Sequence, residues 1–285
     1  MRLVYIYHSG FVVEAEGFSI LIDYFKDTNP DPAKGFVRGE LLKRPGTLYV
    51  LASHFHPDHF NPDVLKWKEE KDDIKYIFSK DILKRRWAKA EDAFYMKKGD
   101  VYQDEHLTIR AFGSTDVGIS FLIEAQGKLI FHAGDLNNWH WKDESTPQEV
   151  AEAEGNYLKE LDIIAKYTQA MDVVMFPVDP RLGTDFMRGA QQFIDRIRTG
   201  IFVPMHFWER PAEVMAFPGN TEELSRLLKE SHLWGIVPVI IGAGTNLLAP
   251  DEGLRGLVIC TKDALDGMEQ IEPDRIRVAA GVTMS

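Results

Sequence analysis

Short apolar runs recur through the first two hundred residues, and polar or glycine-containing breaks close most of them. Leu3 to Tyr7 reads as a strand that turns at Ser9-Gly10. Phe11 to Ala15 and Phe18 to Asp23 flank Glu16-Gly17, a hairpin signal. Asn29 to Arg44 mixes proline, glycine and charge and reads as a loop, and Thr47 to Ala52 is the next apolar strand. Asn61-Pro62-Asp63 predicts a helix start, because Asn caps, Pro suits the first helical position and Asp complements the positive helix end. Strands are predicted at Ile74 to Phe78, Leu107 to Phe112, Ile119 to Glu124 and Leu129 to Phe131. Thr146-Pro147 opens a helical stretch towards Ala170, and Val173 to Pro177 is a buried strand. Phe186 to Arg198 is an amphipathic helix, and Ile201 to Met205 is a strand ending at His206. Strands in runs with helices between them predict an α/β (α+β) class, a mixed sheet covered by helices.

The character changes beyond about Arg210. Asn220-Thr221-Glu222-Glu223 is a capping-box helix start running to about Trp234, and Val237 to Ile241 is a strand before a glycine-rich turn. There is no internal repeat and no low-complexity segment.

The chemistry concentrates where the Thr47–Ala52 run ends, in Ser53-His54-Phe55-His56-Pro57-Asp58-His59. The chain has 9 histidines in 285 residues, so three of them with a carboxylate inside one short segment is not a chance loop. Imidazole and carboxylate are ligands that a borderline metal such as zinc prefers. In extended backbone, residues two apart share a face, so His54 and His56 can chelate one ion. The turn at Pro57 then lets Asp58 and His59 point at a second position. Asn137-Asn138-Trp139-His140-Trp141 reads as a loop at the mouth of such a site, where Trp139, His140 and Trp141 are candidates to wall a substrate pocket; the competing reading is that the tryptophans simply pack. Arg181, in a loop after a buried strand, is a candidate to hold an anionic substrate; a surface salt bridge is the competing reading. His106 reads as solvated, and His232 as a residue favouring the negative end of a helix.

The H-x-H-x-D-H segment is joined in order by Phe131-His132-Ala133-Gly134-Asp135 and Val203-Pro204-Met205-His206, with Tyr7-His8-Ser9-Gly10-Phe11 before it. Over residues 1–208 this set resembles the metallo-β-lactamase superfamily, in the branch that includes the ascorbate-6-phosphate lactonases. The resemblance implies a four-layer αββα sandwich. It implies that His54 and His56 hold one metal, that Asp58, His59 and His206 hold a second, and that Asp135 bridges. It places His8 close by, with Asp58 and His8 at the catalytic centre. Two divalent ions are implied as cofactors: zinc, or manganese, nickel or iron as availability decides. Together they lower the pKa of a shared water, and the resulting hydroxide attacks a small ester, lactone or phosphoester. One departure stands out. The family's further metal-one histidine is missing from Phe112-Gly113-Ser114-Thr115-Asp116-Val117-Gly118, which leaves Asp116 or His132 to fill the place. His132 has the competing reading of a packed residue behind the ligands.

Residues 211–285 resemble something else, the start of the FAD-binding domain of UDP-N-acetylenolpyruvoylglucosamine reductase. The resemblance rests on Pro211 to Pro218, Thr221 to Leu224, Ile241-Gly242-Ala243-Gly244-Thr245-Asn246-Leu247-Leu248, Asp251 to Gly256 and Ala279 to Thr283. It implies that Gly242, Gly244, Thr245 and Asn246 face a flavin pyrophosphate, as close backbone approach and exposed N–H groups allow. FAD is therefore a candidate cofactor of this part. The expectation is a fusion of a hydrolase domain (1–210) with a partial reductase-like segment (211–285), too short for reductase activity.

Charge and cysteine usage narrow the partners. A net charge of -11 argues against general nucleic-acid binding, which needs clustered Lys and Arg. The single cysteine, Cys260, excludes an internal disulfide and fits a reducing cytoplasm; its apolar surroundings read as structural. No run approaches the roughly 20 apolar residues of a membrane span, and the N-terminus does not read as a signal peptide. The expectation is a cytoplasmic hydrolase of a small anionic substrate. The alternatives are a flavoprotein fragment or fusion related to UDP-N-acetylmuramate dehydrogenase, and a metal-binding protein without catalysis.

Overall fold

The apolar runs assemble into two six-stranded sheets in a computed structural model that describes residues 1–31, 33–208, 220–233, 239–241, 258–260, 268–272 and 275–278. The first sheet takes β1 (Arg2–Tyr7), β2 (Gly10–Glu14), β3 (Phe18–Ile22), β4 (Thr47–Ala52), β5 (Ile74–Ser79) and β6 (Phe94–Met96) in sequence order. Its first three strands pair antiparallel, and β3 to β6 pair parallel. Between these strands lie α1 (Phe36–Gly39) and α2 (Lys80–Lys84). The second sheet takes β7 (Val101–Gln103), β8 (Leu107–Phe112), β9 (Ser120–Ala125), β10 (Lys128–His132), β11 (Ala170–Pro177) and β12 (Arg198–Met205). Here β7 to β10 are antiparallel and β10 to β12 parallel. Two longer helices, α3 (Pro147–Tyr167) and α4 (Arg188–Arg196), make the crossovers.

Both faces of each sheet are covered, which is why β4 is buried along its whole length. The outer face of the first sheet carries Val12, Leu21, Val50 and Phe78, packed with Val37, Leu41, Val64, Trp67 and Ile82 from the connecting segments. The outer face of the second carries Phe131 and Phe176, each about 5 Å from the Phe193 ring of α4, and Tyr157 of α3 meets Phe176. Phe11 of β2 approaches His132 of β10, so the inner faces meet each other. The result is the expected αββα sandwich.

Several boundaries shift for local reasons. The segment that Asn61 caps is a 3-10 helix, Pro62–Glu69, with the Asn61 side chain accepting from the Asp63 N–H. The expected loop Asn29–Arg44 contains α1 and a 3-10 turn at Leu41–Lys43 that bury Val37, Leu41 and Leu42. Helix α3 stops at Tyr167 because Ala170 already opens β11. It begins with a reciprocal capping box between Thr146 and Glu149. The edge strands β6 and β7 have three residues each, too few to show a period.

The chain divides into two compact units, Met1–Trp208 and Glu209–Ser285. In the second, α5 (Thr221–Leu233) starts at Asn220, whose side chain accepts from the Glu223 N–H. Strand β13 (Val239–Ile241) pairs parallel with β14 (Val258–Cys260), and β15 (Met268–Glu272) pairs antiparallel with β16 (Arg275–Val278). Leu224 and Ile259 share a small core. Gly242, Gly244, Thr245 and Asn246 lie outside the described residues. Among the described residues, no helix is long and apolar enough to cross a membrane.

A polar clasp ties the two sheets around Asp104, away from the His54–His59 segment. Asp104 accepts from the Tyr49 hydroxyl (2.7 Å), the Lys75 ammonium (2.8 Å) and the Tyr102 hydroxyl (2.9 Å). Burial alone would raise the Asp104 carboxyl, yet Lys75 and the two phenols hold it well below the usual carboxylate range. Native Asp104 therefore binds fewer protons than the unfolded chain, whose value is about 3.9. D104N should lose about 1 kcal/mol at pH 7, a figure reduced by solvent screening at the partly open cluster. The deficit should persist down to about pH 4 and shrink as the pH falls further, towards the folded value. Urea denaturation at pH 7 and pH 3 measures this, and an equal deficit at both would remove the ionised carboxylate from the explanation.

Candidate metal centre

Strand ends from both sheets converge at one rim of the sandwich. His8 follows β1, Asp23 follows β3, and Ser53 and His54 follow β4. Asp135 lies just past β10, Asp179 just past β11, and His206 follows β12. The rims are joined through the main chain, where the His206 N–H donates to the His8 carbonyl at 3.2 Å. His8, Asp23 and His206 all have left-handed backbone, with φ of 58°, 49° and 64°. Such conformations in non-glycine residues persist where the surroundings enforce them, and they cluster at functional sites.

The donor atoms form two sets that meet at Asp135. On one side, His54 Nε2 lies 3.1 Å from His56 Nδ1 and 3.2 Å from Asp135 Oδ2. On the other, His59 Nε2 and His206 Nε2 lie 3.1 Å and 3.4 Å from Asp135 Oδ1. Asp58 Oδ2 is 3.8 Å from both of those nitrogens and 3.3 Å from His8 Nε2. Ligand atoms of His8, Asp58, His59 and His206 all fall within 4.8 Å of one another, as do those of His54, His56 and Asp135. His8 Nε2, His59 Nε2, His206 Nε2 and Asp135 Oδ1 are buried and have no hydrogen-bond partner. Buried polar atoms are almost always bonded. Four that point at common space, in a set of imidazoles and carboxylates, fit a divalent cation.

A further layer of side chains aims these rings. Asp23, fully buried, accepts from His59 Nδ1 (2.7 Å), the Ser53 hydroxyl (2.6 Å) and the Ser53 N–H (2.7 Å). With its proton committed to Asp23, the Ser53 oxygen is left to accept from His54 Nδ1 at 3.0 Å. Asp179 accepts from His206 Nδ1 at 2.9 Å and pairs with the Arg181 guanidinium. Carboxylates behind imidazoles fix the tautomer and turn the free nitrogen towards a metal. Charge is balanced accordingly. Burial alone would push His59 down, but Asp135 and Asp23 hold it well above the usual histidine value. Burial would likewise raise Asp135, but His59 and His206 hold it well below the carboxylate range. His8 is pushed down to about 4 by burial, so its ring is neutral at neutral pH.

The remaining candidates separate by geometry. Asp116 Oδ2 stands 3.6 Å from His56 Nδ1, half-exposed at the rim, and is not part of either set. His132 is engaged at both nitrogens. Its Nε2–H donates to the Ser9 carbonyl at 2.8 Å, and Nδ1 accepts from the Gly134 N–H at 3.2 Å. It packs behind the candidate ligands, with both ring nitrogens already engaged. His140 is likewise tied, with Nε2 to the Asp185 carbonyl and Nδ1 to the Lys142 N–H, so it does not line the cavity expected of it. His106 stacks on Phe18 at 5.0 Å and keeps about a third of its side chain exposed, 31%. Trp139 and Arg181 do line the opening, a cavity of about 390 Å³ shared with His56, Asp58, Asp135 and His206. Trp141 lines it as well, and so do Trp208 and Thr115, which were not anticipated. Nor were Asp23 and Asp179, whose one sequence signal is a carboxylate directly after an apolar strand.

Comparison with known proteins agrees with this geometry. A family model described as "Beta-lactamase superfamily domain" matches residues 2–151. A UPF0173 metal-dependent hydrolase of Carboxydothermus hydrogenoformans is 23% identical over 245 residues, covering 80% of this chain and 93% of its own. A metallo hydrolase structure from the archaeon Ignicoccus hospitalis has a TM-score of 0.51 at 20% identity, covering 74% of this chain and 87% of the other, which shows a shared fold. A UDP-N-acetylenolpyruvoylglucosamine reductase of Synechococcus sp. (strain JA-3-3Ab) is 46% identical over 70 residues. That match covers 25% of this chain, and the chain spans only 22% of the reductase's length.

Gly118 lets the Phe112–Gly118 loop reach the ligand segment. Its φ is +81°, and a Cβ there would overlap the Ser53 carbonyl and crowd the His54 Cβ. Gly118→Ala should therefore destabilise the protein by about 1–2 kcal/mol from left-handed strain alone, a melting temperature lower by several degrees. Calorimetry tests this, and an unchanged melting temperature would show that the loop has room to retreat.

Proposed function

Because the chain belongs to the β-lactamase superfamily, we propose that it is a metal-dependent hydrolase of a small ester, lactone or phosphoester that carries an anionic group. The observation behind this reading is the set of buried, unpartnered donor atoms on His8, His59, His206 and Asp135, with His54, His56 and Asp58 beside them. We assign His54 and His56 to one ion, Asp58, His59 and His206 to the other, and Asp135 to both. Divalent ions held there would supply Lewis acidity and lower the pKa of a water for hydrolysis.

The chain's own groups do the rest. Asp23, Ser53 and Asp179 hold the imidazoles in one tautomer. Asp58, held ionised by the surrounding histidines, keeps a carboxylate oxygen at the cavity floor. Trp139 is locked by donating its indole N–H to the Asp135 carbonyl at 2.8 Å, and with Trp141 and Trp208 it gives the cavity apolar walls. Arg181 is 44% exposed, so Asp179 leaves part of its guanidinium free for an anion at the rim.

The domain organisation we adopt is a hydrolase domain at 1–210 and a partial reductase-like segment at 211–285, in keeping with a division of the chain at Trp208. Flavin chemistry is not part of the proposed activity.

Metal-loaded protein should turn over at least one member of a panel of p-nitrophenyl esters, phosphodiesters and simple lactones. Asp58→Ala should lower kcat/KM by at least about a hundredfold, since losses one shell further out already reach that size. Arg181→Ala should raise KM about tenfold more for anionic substrates than for neutral esters, roughly 1.4 kcal/mol, because its pairing with Asp179 behind His206 is lost for both. Absence of turnover in fully loaded protein across the panel would refute the hydrolase reading.

A further inference from the structure

The two donor sets are not equivalent. In the first set the side chains of His8 and His59 are fully buried, that of His206 is 4% and that of Asp58 20% exposed; in the second His54 is fully buried and His56 is 36% exposed. The first set offers His8, Asp58, His59 and His206 besides Asp135 Oδ1; the second offers His54 and His56 besides Asp135 Oδ2. Both imidazoles facing Asp135 Oδ1 have a carboxylate behind them, Asp23 for His59 and Asp179 for His206. His54 has only a hydroxyl behind it, and among the described residues no carboxylate accepts from His56 Nε2. The unpartnered ligand atoms all belong to the first set.

His8 completes that set. Its ring packs 4.2 Å from the rings of both His206 and Trp208, and a residue kept only for packing would need nothing more. A packed histidine nevertheless bonds its ring nitrogens when buried, as His132 does, whereas both nitrogens of His8 lack a hydrogen bond and Nε2 faces Asp58.

Resting on the reading of this site as a metal centre, we infer that its halves load in order: the buried half, completed by His8, takes the first divalent ion tightly, and the His54–His56 half takes a second that exchanges. Ligand number, exclusion of water and carboxylate support all favour the same half, and loss of such support alone changes metal affinity by about 10–100-fold.

The test is a manganese titration of full-length protein stripped with chelator, with free ion read by electron paramagnetic resonance. Wild-type protein should show a tight and a weak class of site. At one equivalent its bound-ion spectrum should be that of isolated ions, whereas a predominance of spin-coupled pairs would overturn the order of loading. His56→Asn should keep the tight class and lose the weak one. His8→Asn should weaken the tight class by at least about tenfold, with circular dichroism confirming the fold and His8→Gln as the second variant. A tight class untouched by the His8 variants, or abolished by His56→Asn, overturns the inference and leaves the metal centre standing. No binding by wild-type protein overturns both.

Discussion

The Asp135 carboxylate is the constraint on which the centre rests. One oxygen faces the imidazoles of His59 and His206, and the other faces His54. A carboxylate this deeply buried would lose its charge without compensation; the histidines around it keep it ionised. Its backbone carbonyl is also fixed, by the Trp139 indole. Position, charge and orientation of one side chain thus hold the two donor sets apart and together.

Around this point the fold spends local strain on geometry. Of eight non-glycine residues with positive φ among the described residues, five are His8, Asp23, Trp141, His206 and Trp208, all at the centre or lining its cavity. Each such residue is unfavourable by roughly 1–2 kcal/mol and must be held by its neighbours. The neighbours are the ends of strands whose own registers are set by two buried faces, and a sheet buried on both faces cannot slip without exposing apolar side chains.

What the sequence shows directly is the part built from adjacent residues. His54, His56, Asp58 and His59 are legible because their spacing alone brings them together, and the apolar strand before them sets their direction. Within residues 1–208, strands of five or more residues are legible through their apolar runs, whereas β6 and β7 are not, because three residues carry no period. Asp23 and Asp179 escape notice because a carboxylate after a strand looks like any loop residue until the partner imidazole arrives from elsewhere. His132 and His140 mislead in the opposite way. Their position beside Asp135 suggests ligands or pocket walls, but nearby backbone groups claim both nitrogens of each. His8 lies between these cases: motif order places it nearby, and only the structure shows its open nitrogens beside Asp58.

The link between the His206 N–H and the His8 carbonyl joins the first strand of the sandwich to its last. It gives the centre a history as well as a shape. A chain emerging from the ribosome presents His54, His56, Asp58 and His59 early, but His206 follows after some hundred and fifty further residues, several seconds or more at about 5–20 residues per second. Contacts of such sequence separation also form slowly once the chain is free. During that interval the nascent protein carries only a local fragment of its candidate ligand set. The complete set of candidate ligands is therefore a product of long-range folding, and on the proposed assignment an ion selected by the whole site would be selected only after His206 has joined it.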